Sequence, residues 1–68
     1  MSSVIIHDPD ILGGEAVFKG TRVPVRSLFD HLEAGDSIEL FLDGFPSVTR
    51  EQVLTLLEES KAHALAGN

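Results

Sequence analysis

At 68 residues the chain has room for one domain, and a core of that size leaves little stability in reserve. It contains no cysteine, so disulfides and thiolate metal sites are excluded, and the remaining routes to stability are tight packing or a partner chain. Eleven acidic residues against five basic ones give a net charge of −6, the reverse of the balance by which phosphate-neutralising proteins hold nucleic acid. No apolar run reaches the roughly 18 residues of a membrane span. The opening Met1-Ser2-Ser3-Val4 has neither the basic nor the apolar part of a secretory signal. These features lead to the expectation of a cytoplasmic protein that dimerises.

The first third reads as extended and turn-rich. Val4-Ile5-Ile6-His7 is a β-branched run closed by Asp8-Pro9-Asp10, which predicts a strand and then a turn, because the residue before a proline is driven out of the helical region. Gly13-Gly14 permits a sharp change of direction. Ala16-Val17-Phe18 and Thr21-Arg22-Val23 flank Lys19-Gly20, which predicts a tight hairpin there.

Helical spacing takes over at Val25. Val25, Leu28, Phe29 and Leu32 fall on one face, with Pro24 at the start and Gly35 as the stop. The second helix starts from Asp36 or Ser37, with Glu39 placed to complete a capping box with Asp36. Ile38, Phe41, Leu42 and Phe45 repeat the spacing before Gly44 and Pro46 end it. The third helix opens on Thr49-Arg50-Glu51-Gln52, the form of a capping box, with Val48 and Val53 positioned as a hydrophobic staple. Its predicted inner face is Val53, Leu56, Leu57 and Ser60, extended by Ala64, while Glu51, Thr55, Glu58, Glu59 and Lys61 face water or a partner and the tail frays from about Ala62. The fold expected is mainly α. A β arm and hairpin occupies residues 1–24 and three helices occupy 25–68, the last two joined by a short glycine-containing turn, as in a helix-turn-helix.

The run from Ile6 to Val25, with Asp8-Pro9-Asp10-Ile11-Leu12-Gly13-Gly14 followed by Lys19-Gly20-Thr21-Arg22-Val23-Pro24-Val25, resembles the DUF433 family. Leu32-Glu33-Ala34-Gly35-Asp36-Ser37-Ile38 and Phe45-Pro46-Ser47-Val48-Thr49-Arg50-Glu51-Gln52-Val53 fit the same pattern in the same order, so the likeness spans roughly residues 4 to 62. Family members often carry tyrosine where this chain has Phe45 and leucine where it has Val48, and both changes keep the position apolar. The resemblance implies a homeodomain-like three-helix fold with an N-terminal β arm. It also implies an antitoxin of VapB type, paired with a PIN-like ribonuclease toxin and repressing its own operon.

Two groups of residues are candidates for partner contact. Lys19, Arg22 and Arg26 are three of the five basic residues and lie within eight positions. They could contact phosphates, or Arg22 could reach a partner's carboxylates, since an arginine fork pairs bidentately with a carboxylate, or they could pair at home with Asp8, Asp10 or Glu15. An arginine inserted among the metal-holding acids of a PIN-like nuclease would compete with the metal. Ser47, Thr49, Arg50 and Gln52 stand at the start of the third helix, where helix-turn-helix proteins approach bases and phosphates. The alternative is that Thr49 and Gln52 cap the helix and Arg50 pairs with a nearby acid, with Glu51, Glu58 and Glu59 repelling phosphate. His7, His31 and His63 share no metal-ligand spacing, and His31 falls on the polar side of its helix. Lys19-Gly20-Thr21 has the order of a phosphate loop reversed. Neither an activated nucleophile nor material for a water-excluding pocket is evident, so the chain is expected to be a binding protein without cofactor, metal or small-molecule substrate, and no enzyme. Its expected partners are the toxin, a second copy and operator DNA, with a stand-alone regulator or a pure protein-interaction module as the competing readings.

Overall fold

A computed structural model describes residues 4–66; Met1 to Ser3, read above for a secretory signal, and the last two positions lie outside the described residues. Strand β1 (Ile5–His7) pairs antiparallel with β2 (Ala16–Phe18), with Ile5 opposite Phe18, Ile6 opposite Val17 and His7 opposite Ala16. Three helices follow: α1 (Val25–Glu33), α2 (Ile38–Gly44) and α3 (Arg50–Ala66). The fold is the expected mainly-α three-helix arrangement behind an N-terminal β hairpin.

The hairpin differs from the expected one in its partner strand. The turn at Phe18-Lys19-Gly20-Thr21 forms as anticipated: Thr21 N–H donates to the Phe18 carbonyl at 2.9 Å, and Gly20 takes φ 80° at the position where a type II turn requires a positive value. The chain after the turn does not become a strand. Phe18 N–H reaches the Val23 carbonyl at 3.0 Å and Val17 bridges Pro24, but Pro24 has no N–H to extend a ladder and its φ of −65° leads directly into α1. The strand that β2 actually pairs with is β1, which returns across the Asp8–Glu15 loop. In that loop Asp10 N–H donates to the Asp8 carboxylate at 2.9 Å, and His7 Nδ1–H donates to the Gly14 carbonyl at 3.0 Å. Thr21, buried beneath the turn, donates its hydroxyl to Phe18 O at 2.8 Å and accepts from Val23 N–H at 3.0 Å, so its polar group is satisfied.

The helix ends carry their own stop signals. Gly35 sits at φ 87°, its N–H donates to Leu32 O at 3.0 Å, and Asp36 N–H donates to His31 O at 2.9 Å, the paired bonds of a Schellman motif. Ser37, not Asp36, caps α2, its Oγ accepting from Leu40 N–H at 3.0 Å. The expected Asp36–Glu39 box does not form, because Asp36 turns to His31 (Nδ1 to carboxylate 3.0 Å) and Glu39 turns to Arg50.

The core comprises Val4, Val17, Phe18, Val25, Leu28, Phe41, Val48, Val53 and Leu56, drawn from both strands' surroundings and all three helices. Phe18 and Phe41, both fully buried, meet with ring centroids 6.2 Å apart, and Phe45 packs on Phe41 at 4.9 Å. Val48 and Val53 are both buried in this core, where the staple places them. On α3 the expected inner face holds for Val53, Leu56 and Leu57, whereas Ser60 and Ala64 are exposed. The body ends before α3 does: the helix continues to Ala66 and does not fray at Ala62, with every residue from Ser60 to Ala66 exposed. Thr55 and Glu59, expected outside, are half-buried.

Deleting a ring from so small a core is decisive. Phe41→Ala should cost about 3–5 kcal/mol, all the stability a single core of this size supplies, and leave the chain unfolded by circular dichroism at 25 °C. Leu40→Ala, on the exposed side of α2, should move the denaturation midpoint by less than about 0.5 kcal/mol.

Candidate macromolecular interface

The first turn of α3 is closed by a reciprocal pair. Thr49 Oγ1 accepts from Gln52 N–H at 3.1 Å while Gln52 Oε1 accepts from Thr49 N–H at 3.0 Å. The other end of the Gln52 amide reaches across the molecule. Its Nε2 donates to the Lys19 carbonyl at 3.0 Å, bridging 33 positions of sequence. A single side chain therefore holds the 18–21 turn against the start of α3, so that Lys19 of one candidate group meets Gln52 of the other. The Lys19 N–H, donating to Val4 O at 2.8 Å, fixes the turn from its other side.

The candidates differ in how free they are. Arg26 forms a two-pronged pair with Glu15, Nη2 to Oε1 and Nε to Oε2 both at 3.2 Å, so it pairs within the chain. Arg50 is hydrogen-bonded to Glu39, which ties α3 to α2. Thr49 and Gln52 are engaged in the cap. Lys19 and Arg22 are both exposed, and among the described residues neither side chain has an acidic partner. Ser47 is exposed in the α2–α3 turn with no side-chain hydrogen bond among the described residues. Of the candidates, Lys19, Arg22 and Ser47 are exposed and not engaged through their side chains among the described residues, while Thr49 and Gln52 are held in the cap.

Beside the start of α3 runs an open groove of about 390 Å³ lined by Val4, Thr49, Glu51, Gln52, Leu54 and Thr55. Its walls are a carboxylate, hydroxyls, an amide and two aliphatic side chains, a mixture suited to contact with a polypeptide segment. Among the described residues no three His, Asp or Glu side chains come together as metal ligands do, and no helix is long and apolar enough to cross a membrane.

Two features were not legible from spacing. His31, expected on the polar side of α1, is half-buried at the corner of the helices, its ring edge-on to Phe41 at 5.4 Å and to Phe45 at 5.9 Å. Glu39, expected to cap α2, is instead the counter-charge of Arg50. The hydrogen bond from Arg50, its own backbone N–H and the nearby guanidinium charge together hold its carboxyl below the ordinary value of 4.5.

The chain matches the DUF433 family, described as a protein of unknown function, over residues 5–58. The chain belongs to the DUF433 family. A relative from Sinorhizobium fredii, the uncharacterized protein y4eO, is 38% identical over 64 residues. That alignment takes in 94% of this chain but 29% of y4eO, so the chain spans under a third of that relative's length. No solved structure matches it.

Two measurements check this geometry. Gln52→Ala removes the tether and the side-chain half of the capping box, leaving the Thr49 Oγ1 bond to the residue 52 N–H, and should cost about 1–2 kcal/mol, with faster amide exchange at Thr49 and through the 18–21 turn. In an NMR titration Glu39 should ionise below 4.5 and return toward 4.5 in Arg50→Ala. Because its folded pKa is depressed, the Glu39–Arg50 pair contributes stability above the unfolded value. That contribution is lost as pH falls through the folded one, and the acid limb of the stability curve should be flatter in the variant.

Proposed function

We propose that this chain is a cytoplasmic antitoxin that binds and neutralises a PIN-like ribonuclease toxin and represses its own operon by binding DNA. The resemblance of its motifs supplies the pairing with such a toxin. The observation that supports it here is the turn tethered by Gln52, beside which the Lys19 and Arg22 side chains have no acidic partner among the described residues of an otherwise acidic protein. A basic tip held on a rigid support suits insertion among clustered carboxylates, and the surrounding negative charge suits a basic toxin surface. In this reading Arg22 competes with the nuclease's metal for its acids, while Ser47, Thr49 and the start of α3 meet operator DNA from a homodimer. Arg50 adds to phosphate contact only if it leaves Glu39, so DNA binding is the weaker half.

A protein-interaction module without DNA binding is the second reading. It is favoured by the net charge of −6 and by y4eO, in which the matching segment is a minor part of a longer chain. Both readings describe a binding protein rather than an enzyme.

Co-expression with the neighbouring reading frame should give a stable complex by gel filtration, and the complex should shift their shared promoter. A complex with no shift selects the interaction module; a shift with no complex selects a stand-alone regulator. Arg22→Ala should weaken toxin binding at least tenfold, about 1.4 kcal/mol or more, and relieve inhibition of RNA cleavage without altering the melting temperature. Unchanged inhibition would remove Arg22 from the mechanism.

A further inference from the structure

The outer part of α3 carries a pattern that the core does not use. The helix has 17 residues, about 25 Å at 1.5 Å per residue, and its last seven stand clear of the body. Leu54, Glu58, Lys61 and Leu65 are spaced 4, 3 and 4 apart, which gathers them into one narrow stripe, the spacing of a helix–helix seam. All four are exposed, Leu54 by 44% and Leu65 by 75%. Among the described residues neither Glu58 nor Lys61 has an ion-pair partner.

The stripe is complementary to itself in one orientation. Laid against a copy running the opposite way, Leu54 meets Leu65 at both ends, and Glu58 meets Lys61 twice in the middle. Laid parallel, Glu58 would face Glu58 and Lys61 would face Lys61. We propose that this stripe is a homodimer interface, in which α3 of a second copy packs antiparallel about a two-fold axis passing between Glu59 and Ser60. The contact is isologous, as closed dimers require, and the two leucine pairs exclude water on either side of the crossed ion pairs. Two short helical stretches place the area at the low end for specific interfaces, so the dimer is weak and concentration-dependent. The inference is independent of any toxin; the axis lies more than two helical turns from the start of α3, and Leu65 of the second copy packs on Leu54, at the wall of the groove.

Sedimentation equilibrium of the full chain by itself tests it, separately from toxin binding. The wild type should dimerise reversibly; Glu58→Lys or Lys61→Glu should each weaken dimerisation at least tenfold, and the double exchange E58K/K61E should restore it. Circular dichroism on each variant confirms that the helix is intact. A wild type that stays monomeric to millimolar concentration, a dimer indifferent to the single reversals, or a double exchange that fails to restore it each overturns the proposal. Orientation is read by cross-linking, because the chain has no cysteine of its own. Leu54→Cys and Leu65→Cys should form a disulfide only when the two variants are mixed, since like positions lie about 16 Å apart in the antiparallel pair, beyond disulfide reach. Cross-linking of either variant with itself would show a parallel pairing and sink the antiparallel one.

Discussion

The contact between Phe18 and Phe41 joins the two halves of this protein. One ring comes from the strand that follows the glycine-rich loop, the other from the middle of a seven-residue helix too short to persist unaided. Neither a two-stranded ribbon nor a helix of two turns is stable in water, so each depends on the surface the other buries. Leu28, Val48, Val53 and Leu56 close around the pair, and with so few fully buried side chains none is redundant. The turns and caps contribute by fixing directions so that these rings can meet.

Polar groups in such a body serve structure first. Thr21, Thr49 and Gln52 each satisfy backbone groups that would otherwise be unpaired, and Gln52 uses both ends of its amide to do so. This narrows what remains for recognition. Arg26 and Arg50 meet Glu15 and Glu39, which brace the hairpin against α1 and α2 against α3, and exposed pairs of this kind orient more than they stabilise. Among the described residues the basic side chains without an acidic partner are Lys19, Arg22 and Lys61.

Two surfaces with different tasks follow from this distribution. The tethered basic tip suits an acidic target, and the exposed stripe on α3 suits a second copy. If two copies pair through that stripe, the dimer would present two tips at once. For an antitoxin that arrangement would match a paired toxin and a two-fold operator; for an interaction module it would double the avidity for a repeated target.

Much of this was legible in the chain. The β-branched run at Val4–His7, the Lys19-Gly20 turn, the Gly35 stop, the Thr49–Gln52 box and the helical spacing of Val25 to Leu32 and Ile38 to Phe45 are local signals, set by a few neighbouring residues and therefore readable in order. The family motifs are equally local, and they identified the family that the match over residues 5–58 shows. What sequence could not determine was pairing at a distance. Which strand answers β2, that Asp36 serves His31 and leaves the cap to Ser37, that Arg50 finds Glu39, and that Gln52 reaches Lys19 are choices among chemically equivalent partners. Only the packed core brings particular ones within 3 Å. The inner face of α3 shows the same limit from the other side. Periodicity extends it through Ser60 and Ala64, but the body it packs against ends sooner, and whether a helical face is buried depends on what lies opposite it.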